Sequence, residues 1–140
     1  MIRVIAPRTG SWVLHRSIDN GASMTGAATI SRRDDGRFDY HERGRLRLAD
    51  GQVIDAERRY IFAEAADGFE VLFAETPPRS FHRIVLHKKG TSLVGSAEHF
   101  CAPDYYDSRY EFRANGTFAT SHAVAGPAKS YVMHTEYIRQ

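Results

Sequence analysis

The densest run of reactive side chains lies at residues 99–110, HFCAPDYYDSRY, which holds the chain's only cysteine, a histidine, two aspartates, an arginine and three tyrosines. On an extended strand His99 and Cys101 point to the same side, roughly 6–7 Å apart along it. A thiolate–imidazole pair needs heavy atoms within about 3 Å, so only side-chain reach could bring the two together. The competing reading is a small buried cysteine beside a hydrogen-bonded histidine. Pro103 is expected to interrupt pairing between the histidine and the second aspartate, so the spacing builds in no Cys–His–Asp alignment. Asp104 reads as a turn residue that bonds local backbone, and Tyr106 could line a pocket mouth. Metal chemistry has less support. The seven histidines (15, 41, 82, 87, 99, 122 and 134) form no His-x-x-x-His pair and join no second cysteine. AGPAKS, at 125–130, has a lysine without phosphate-loop spacing. Its Lys129 either covers one end of the fold or is solvated. These motifs call for no metal and no cofactor.

The elements that position these residues are set by turns. Asn20-Gly21, Asp35-Gly36, Asp50-Gly51, Asp67-Gly68 and Asn115-Gly116 are all [Asn/Asp]-Gly pairs. Both residue types tolerate the positive φ of tight hairpins. ETPPRS, HKKGTS, CAPDYYD and AGPAKS add further breaks. Between them lie ten segments of strand length: 11–18, 23–33, 37–48, 52–65, 69–75, 80–88, 92–101, 106–114, 117–125 and 130–139. Several alternate apolar and polar residues, and none reads as a long amphipathic helix. The expectation is an all-β fold, a single domain over residues 1–140. Sequential hairpins close most economically into an antiparallel up-and-down barrel of about ten strands, which removes the sheet edges. A barrel of that size has more interior than its side chains need fill.

Turn chemistry also fixes register. Ala49-Asp50-Gly51 suits a three-residue loop with glycine in the left-handed region. Phe38 then faces Phe62, Tyr40 faces Tyr60, Glu42 faces Arg58, Gly44 faces Ala56 and Leu46 faces Ile54. A two-residue loop would set Glu42 against Arg59 and forfeit these favourable pairs. The same loop at 114–116 pairs Phe112 with Phe118 and Tyr110 with Thr120. Alternation then places Tyr40, Glu42, Arg58, Tyr60, His82, His99, Cys101 and Tyr110 on the inner face among apolar groups. Burying Glu42 and Arg58 costs several kcal/mol per ion unless they are paired and hydrogen-bonded, so their opposition makes the register self-consistent.

Composition narrows the function classes. A formal net charge of +2 is too small to imply a nucleic-acid surface, and the short basic clusters SRRDD and LHKKG read as solvated turn ends. No apolar run is long enough to span a bilayer, and MIRVIAPRTG lacks the apolar core of a secretory signal. A single cysteine fits a reducing, cytoplasmic compartment.

Two resemblances add to this reading. Gly10-x-Trp12, at the head of the first strand, resembles the Gly-x-Trp signature of the calycins, which include lipocalins, fatty-acid-binding proteins and nitrobindins. That resemblance implies a tryptophan plugging the closed end of a barrel, with a last-strand cation over its ring, here Arg139. The chain is also similar, over nearly its whole length, to a bacterial family of short proteins of unknown function. Trp12, Gly26, YHERG at 40–44, RRYIF at 58–62, FHRI at 81–84, HFCAPDYY at 99–106 and GPAKSY at 126–131 carry this likeness. It implies a calycin-like barrel and no activity. The nitrobindin likeness keeps haem as an alternative, with His82, His99, His122 or His134 as the proximal ligand.

The leading expectation is non-covalent binding of a small, largely apolar molecule, with Arg58 and the tyrosines as its polar anchors. The runner-up is an enzyme that uses His99, a tyrosine or Glu42 as acid–base groups in the same cavity. The third is a side-chain-filled barrel that acts through its outer surface.

Overall fold

The structure is a computed structural model and describes residues 3–140. Eleven strands follow one another: β1 (Gly10–Ile18), β2 (Ser23–Arg32), β3 (Phe38–Arg47), β4 (Val53–Ala65), β5 (Gly68–Phe73), β6 (Arg79–Val85), β7 (His87–Lys89), β8 (Ser92–Cys101), β9 (Asp104–Phe112), β10 (Phe118–Ala125) and β11 (Ser130–Arg139). They form one antiparallel sheet in the order β6-β5-β4-β3-β2-β1-β11-β10-β9-β8-β7, coiled into a nearly closed barrel.

The count exceeds the expected ten because the segment read as one strand, 80–88, changes partner. β6 pairs with β5 and β7 pairs with β8. Leu86, between them, donates its N–H to the Asp67 carbonyl and buries its side chain. A single stretch of chain thus supplies both margins of the sheet. β9 begins at Asp104, two residues earlier than expected, because Cys101 pairs directly with Asp104. Pro103 therefore occupies the connection, where its missing N–H costs no ladder bond, and does not interrupt pairing.

The register matches the turn chemistry. Phe38–Phe62, Tyr40–Tyr60, Glu42–Arg58, Gly44–Ala56 and Leu46–Ile54 are direct partners, as are Phe112–Phe118 and Tyr110–Thr120. At the first of these hairpins Leu48 donates to the Gln52 carbonyl and Gly51, at φ 89°, donates back to Leu48. Only a residue free of Cβ strain takes that φ readily. The Asp67-Gly68 pair works differently, since Gly68 already belongs to β5 and pairs with Ala65.

The interior is aromatic. Trp12, Phe38, Tyr40, Phe62, Phe69, Phe81, Tyr110, Phe112, Phe118 and Tyr137 are all buried in one cluster. One end is sealed by a 3-10 turn, Ala6–Arg8, with Val4 and Ile5 tucked beneath it. Glu64 Oε1 accepts the Val4 and Ile5 N–H groups at 2.8 and 3.0 Å, and Trp12 Nε1 donates to the Arg8 carbonyl at 3.0 Å. The Arg139 guanidinium lies 4.2 Å from the Trp12 ring and donates to the Pro7 and Thr9 carbonyls.

The two margins meet where β6 comes against β8 at Gly95. A Cβ there would lie 2.5 Å from the Val85 carbonyl oxygen and 2.6 Å from Ile84 Cγ2. Gly95→Ala is therefore expected to destabilise the barrel by about 1–3 kcal/mol, the usual cost of overpacking. Urea unfolding measures this directly, and an unchanged midpoint would mean that the margins can part at this point without cost.

Candidate functional site

Alternation along β1 carries Trp12 and Leu14 inward and then brings Arg16 into the middle of the barrel. Arg16 is 9% exposed and Glu42, on β3, is 3% exposed. They form a bidentate pair, with Arg16 Nη1 and Nη2 donating to the Glu42 carboxylate at 2.7 and 2.9 Å. Arg16 Nε donates to Thr135 Oγ1 at 2.8 Å, which ties β1 to β11 as well. On the other side, Tyr40 donates its hydroxyl proton to Glu42 Oε1 at 2.6 Å. The 2.7 Å contact between the Tyr40 and Tyr137 hydroxyls must then be donated by Tyr137. Burial would push the Glu42 carboxyl up, but the Arg16 bonds and charge outweigh it and hold the group ionised below its ordinary value. Burial raises Tyr40 far above its ordinary value and pushes Tyr137 up to about 12, so both hydroxyls stay protonated donors.

The expected partner of Glu42 was Arg58. The two are opposed in register, but the ion pair belongs to Arg16. Arg16, on β1, reaches over the intervening strand β2 and sets its planar fork bidentate on the carboxylate. Arg58 is left exposed at the rim, beside the Tyr60 hydroxyl that it hydrogen-bonds, with no carboxylate salt-bridged to it among the described residues. Burial of its surroundings works against its charge, but Tyr60 and Glu42 more than compensate, and its pKa stands above the ordinary value. Two guanidiniums thus face one carboxylate, a surplus of one positive charge.

This layer separates two spaces. Toward the sealed end is an inner cavity of about 30 Å³, lined among others by Tyr40, Tyr60, Phe62, Tyr110, His122 and Tyr137. That is room for about one or two water molecules, so side chains fill most of the interior and the spacious barrel expected from strand number is not present. Toward the open end is a mouth of about 260 Å³ walled by Ile18, Met24, Leu46, Leu48, Tyr131 and Met133. Arg16, Glu42 and Arg58 border both spaces. Glu57 stands on the rim but is engaged by His41 at 2.6 Å.

Of the eight residues expected to converge, Tyr40, Glu42, Arg58, Tyr60 and Tyr110 line the inner cavity. His82, His99 and Cys101 do not. His82 is buried behind Tyr110, and its Nε2 lies 2.8 Å from that hydroxyl. His99 is half-buried against the rings of Phe81 and Phe73, at 5.3 and 6.4 Å, and Cys101 sits half-buried at the strand end opposite Asp104. Tyr106, partner of His99, is half-buried. Asp104 does not bond local backbone. It is buried, takes the Lys129 ammonium at 3.0 Å, and packs so closely on Gly126 that a Cβ there would come 2.2 Å from its Oδ1. Lys129 therefore ties the loop between β10 and β11 to the start of β9.

The sequence reading missed Arg16, Thr120 and Tyr137 in the cavity wall and named His122 only as an alternative haem ligand. Parity from Trp12 reaches Arg16, and parity from Phe118 reaches Thr120 and His122. His122 Nδ1 meets Ser108 Oγ at 2.7 Å, and Ser108 is fully buried. Burial first, then the charges of Arg58 and Arg16, lower the His122 pKa to about 4. Burial, then the neighbouring His122 and His99, lowers His82 to about 3.

A family model of a family of unknown function, DUF6314, matches residues 9–139. The chain belongs to DUF6314. The match takes in all eleven strands and starts just after the Ala6–Arg8 turn. No curated protein matches the chain. DUF6314 membership thus brings no activity with it, and the chemistry rests on the side chains.

Two outcomes follow for this DUF6314 protein. Glu42→Gln leaves the buried Arg16 charge without a counter-ion, and urea unfolding should show a loss of about 3–5 kcal/mol. A loss under about 1 kcal/mol would mean that solvent can stand in for the carboxylate. The histidines set a pH dependence. In the folded protein His82 and His122 stay neutral down to about 3 and 4, whereas unfolded histidine binds its proton near 6.5. The unfolded chain therefore takes up more protons below pH 6.5. Stability is full above that pH and falls as pH drops from about 6.5 through about 4 for His122 and about 3 for His82, by an amount on the order of a few kcal/mol. His82→Gln/His122→Gln should flatten thermal midpoints across this window. A double variant with the parent's slope would assign the loss to other groups.

Proposed function

We propose that this protein is a calycin-like barrel that binds a small amphiphilic carboxylate at its open mouth, the apolar tail lying in the mouth and the anionic head meeting Arg58. The observation that carries the reading is the surplus guanidinium. Arg16 is satisfied by Glu42 and Thr135, but Arg58 borders both spaces with only the Tyr60 hydroxyl beside it and no salt-bridged carboxylate among the described residues. A planar fork that is charged and has no counter-ion suits a carboxylate. The mouth supplies apolar walls of Ile18, Met24, Leu46, Leu48 and Met133, and methionine adapts to irregular ligand shapes. Its volume of about 260 Å³ lies near the lower end of small-molecule pockets, which favours a short tail. Haem does not fit this arrangement, because the inner cavity holds about 30 Å³ and aromatic rings occupy the space a porphyrin would need. The ligand would be held without covalent change.

Isothermal titration with octanoate tests this reading. Arg58→Met should weaken binding at least tenfold. Arg59→Met, one residue along on the outer face, should leave affinity unchanged, and octanol should bind more weakly than octanoate to the parent protein. Equal octanoate affinity in the parent and Arg58→Met proteins, or no binding at millimolar octanoate, would overturn the proposal.

A further inference from the structure

His122 stands where β10 crosses the inner cavity, and its two ring nitrogens face different partners. Nδ1 lies 2.7 Å from Ser108 Oγ, and Nε2 has no hydrogen-bond partner among the described residues. The direction of the Ser108 bond follows from burial. Ser108 has 0% exposure, and the His122 ring is the only side-chain or loop partner its hydroxyl has among the described residues. If Nδ1 carried a proton and donated it to Oγ, the serine's own proton would be buried without an acceptor, at a cost of about 1–3 kcal/mol. The hydroxyl is satisfied only by donating, which makes Nδ1 the acceptor. A neutral ring must then carry its proton on Nε2, on the edge left to the cavity.

We infer that Ser108 locks His122 as a neutral Nε2–H donor and that this N–H, together with Arg58, receives the head group of the ligand, restricting it to carboxylates and excluding amines. The inference rests on the proposed binding function and adds the specificity of its polar end. The geometry suits a single small anionic group. Arg58 and His122 line the same cavity of about 30 Å³, which is sized for a pair of oxygens rather than a bulky phosphate ester. Thr120 lines the same wall. Burial first, and then the nearby guanidiniums, keep the ring from charging, so it stays a neutral donor at neutral pH. An amine head would bring an ammonium against the His122 N–H and a layer in which Arg16 and Arg58 outnumber the Glu42 carboxylate, already committed to Arg16, by one positive charge.

Long-range ¹H–¹⁵N NMR of the imidazole rings reads the tautomer without any ligand. At pH 7 the parent protein should show His122 protonated on Nε2 and bare on Nδ1, and Ser108→Ala should give mixed tautomers. Titration with octanoate should move the His122 Nε2 signal, Ser108→Ala should weaken octanoate about fivefold or more, and octylamine should not bind. A parent His122 protonated on Nδ1 would overturn the inference while leaving the mouth and Arg58 intact as a binding site. Octanoate binding that depends on Arg58 but leaves the His122 signal unmoved would do the same. Absence of octanoate binding would overturn both this inference and the function it rests on, even with the tautomer as expected.

Discussion

The buried ion pair between Arg16 and Glu42 is the constraint around which the interior is arranged. Two ions at this depth persist only if their remaining hydrogen-bonding capacity is filled, and the chain fills it from several directions. Thr135 takes the Arg16 Nε–H, Tyr40 donates to Glu42, and Tyr137 donates to Tyr40. Three strands, β1, β3 and β11, are therefore joined through side chains as well as through their ladders. Because the carboxylate is committed to Arg16, the neighbouring Arg58 is released from the role its register suggests. Structural satisfaction of one arginine and availability of the other are consequences of the same arrangement.

The barrel is consequently polarised along its axis. At the sealed end, the Ala6–Arg8 turn, Trp12 and Arg139 convert loose backbone carbonyls and an indole N–H into an interlocked cap. At the open end, side chains shorten or thin out: Gly44 and Ala56 face each other where Phe38 and Phe62 meet at the opposite end. Bulk decreases toward the mouth, and the charged layer lies at the transition. Close packing below and space above follow from residue size along the inner face of each strand.

Much of this was readable before any coordinates. Register was the most legible feature, because [Asn/Asp]-Gly turns admit few loop geometries and a one-residue slip would have exchanged Arg58 for Arg59. Trp12 with Arg139 was legible from a short motif, and Tyr40, Glu42 and Tyr60 followed from parity alone. The failures have a common cause. Parity says which face a side chain leaves from but not how far it reaches, so the partner of Glu42 was sought on the adjacent strand and found two strands away. His99 and Cys101 alternate inward, but they lie on a strand end beyond the cavity, and alternation cannot tell depth along an axis. Arg16 was passed over because a lone arginine in the first strand resembles a solvent-facing residue until its phase with Trp12 is counted.

The order of strands bears on how the chain reaches this shape. Every pairing but one joins strands adjacent along the chain, so most of the sheet can assemble hairpin by hairpin with short loops to close. The exception is β1 with β11, which brings together segments at opposite ends of the barrel's sequence. Such a distant contact cannot lead the process, because its loop entropy is repaid only once the intervening hairpins have drawn the ends together. Ser17 opposite His134 and Trp12 opposite Arg139 therefore belong to a late event, and the Arg16–Thr135 bond across that junction forms with it. The bonds that Thr135 and Tyr137 add to the polar layer come last, with the step that turns a curved ribbon into an enclosure.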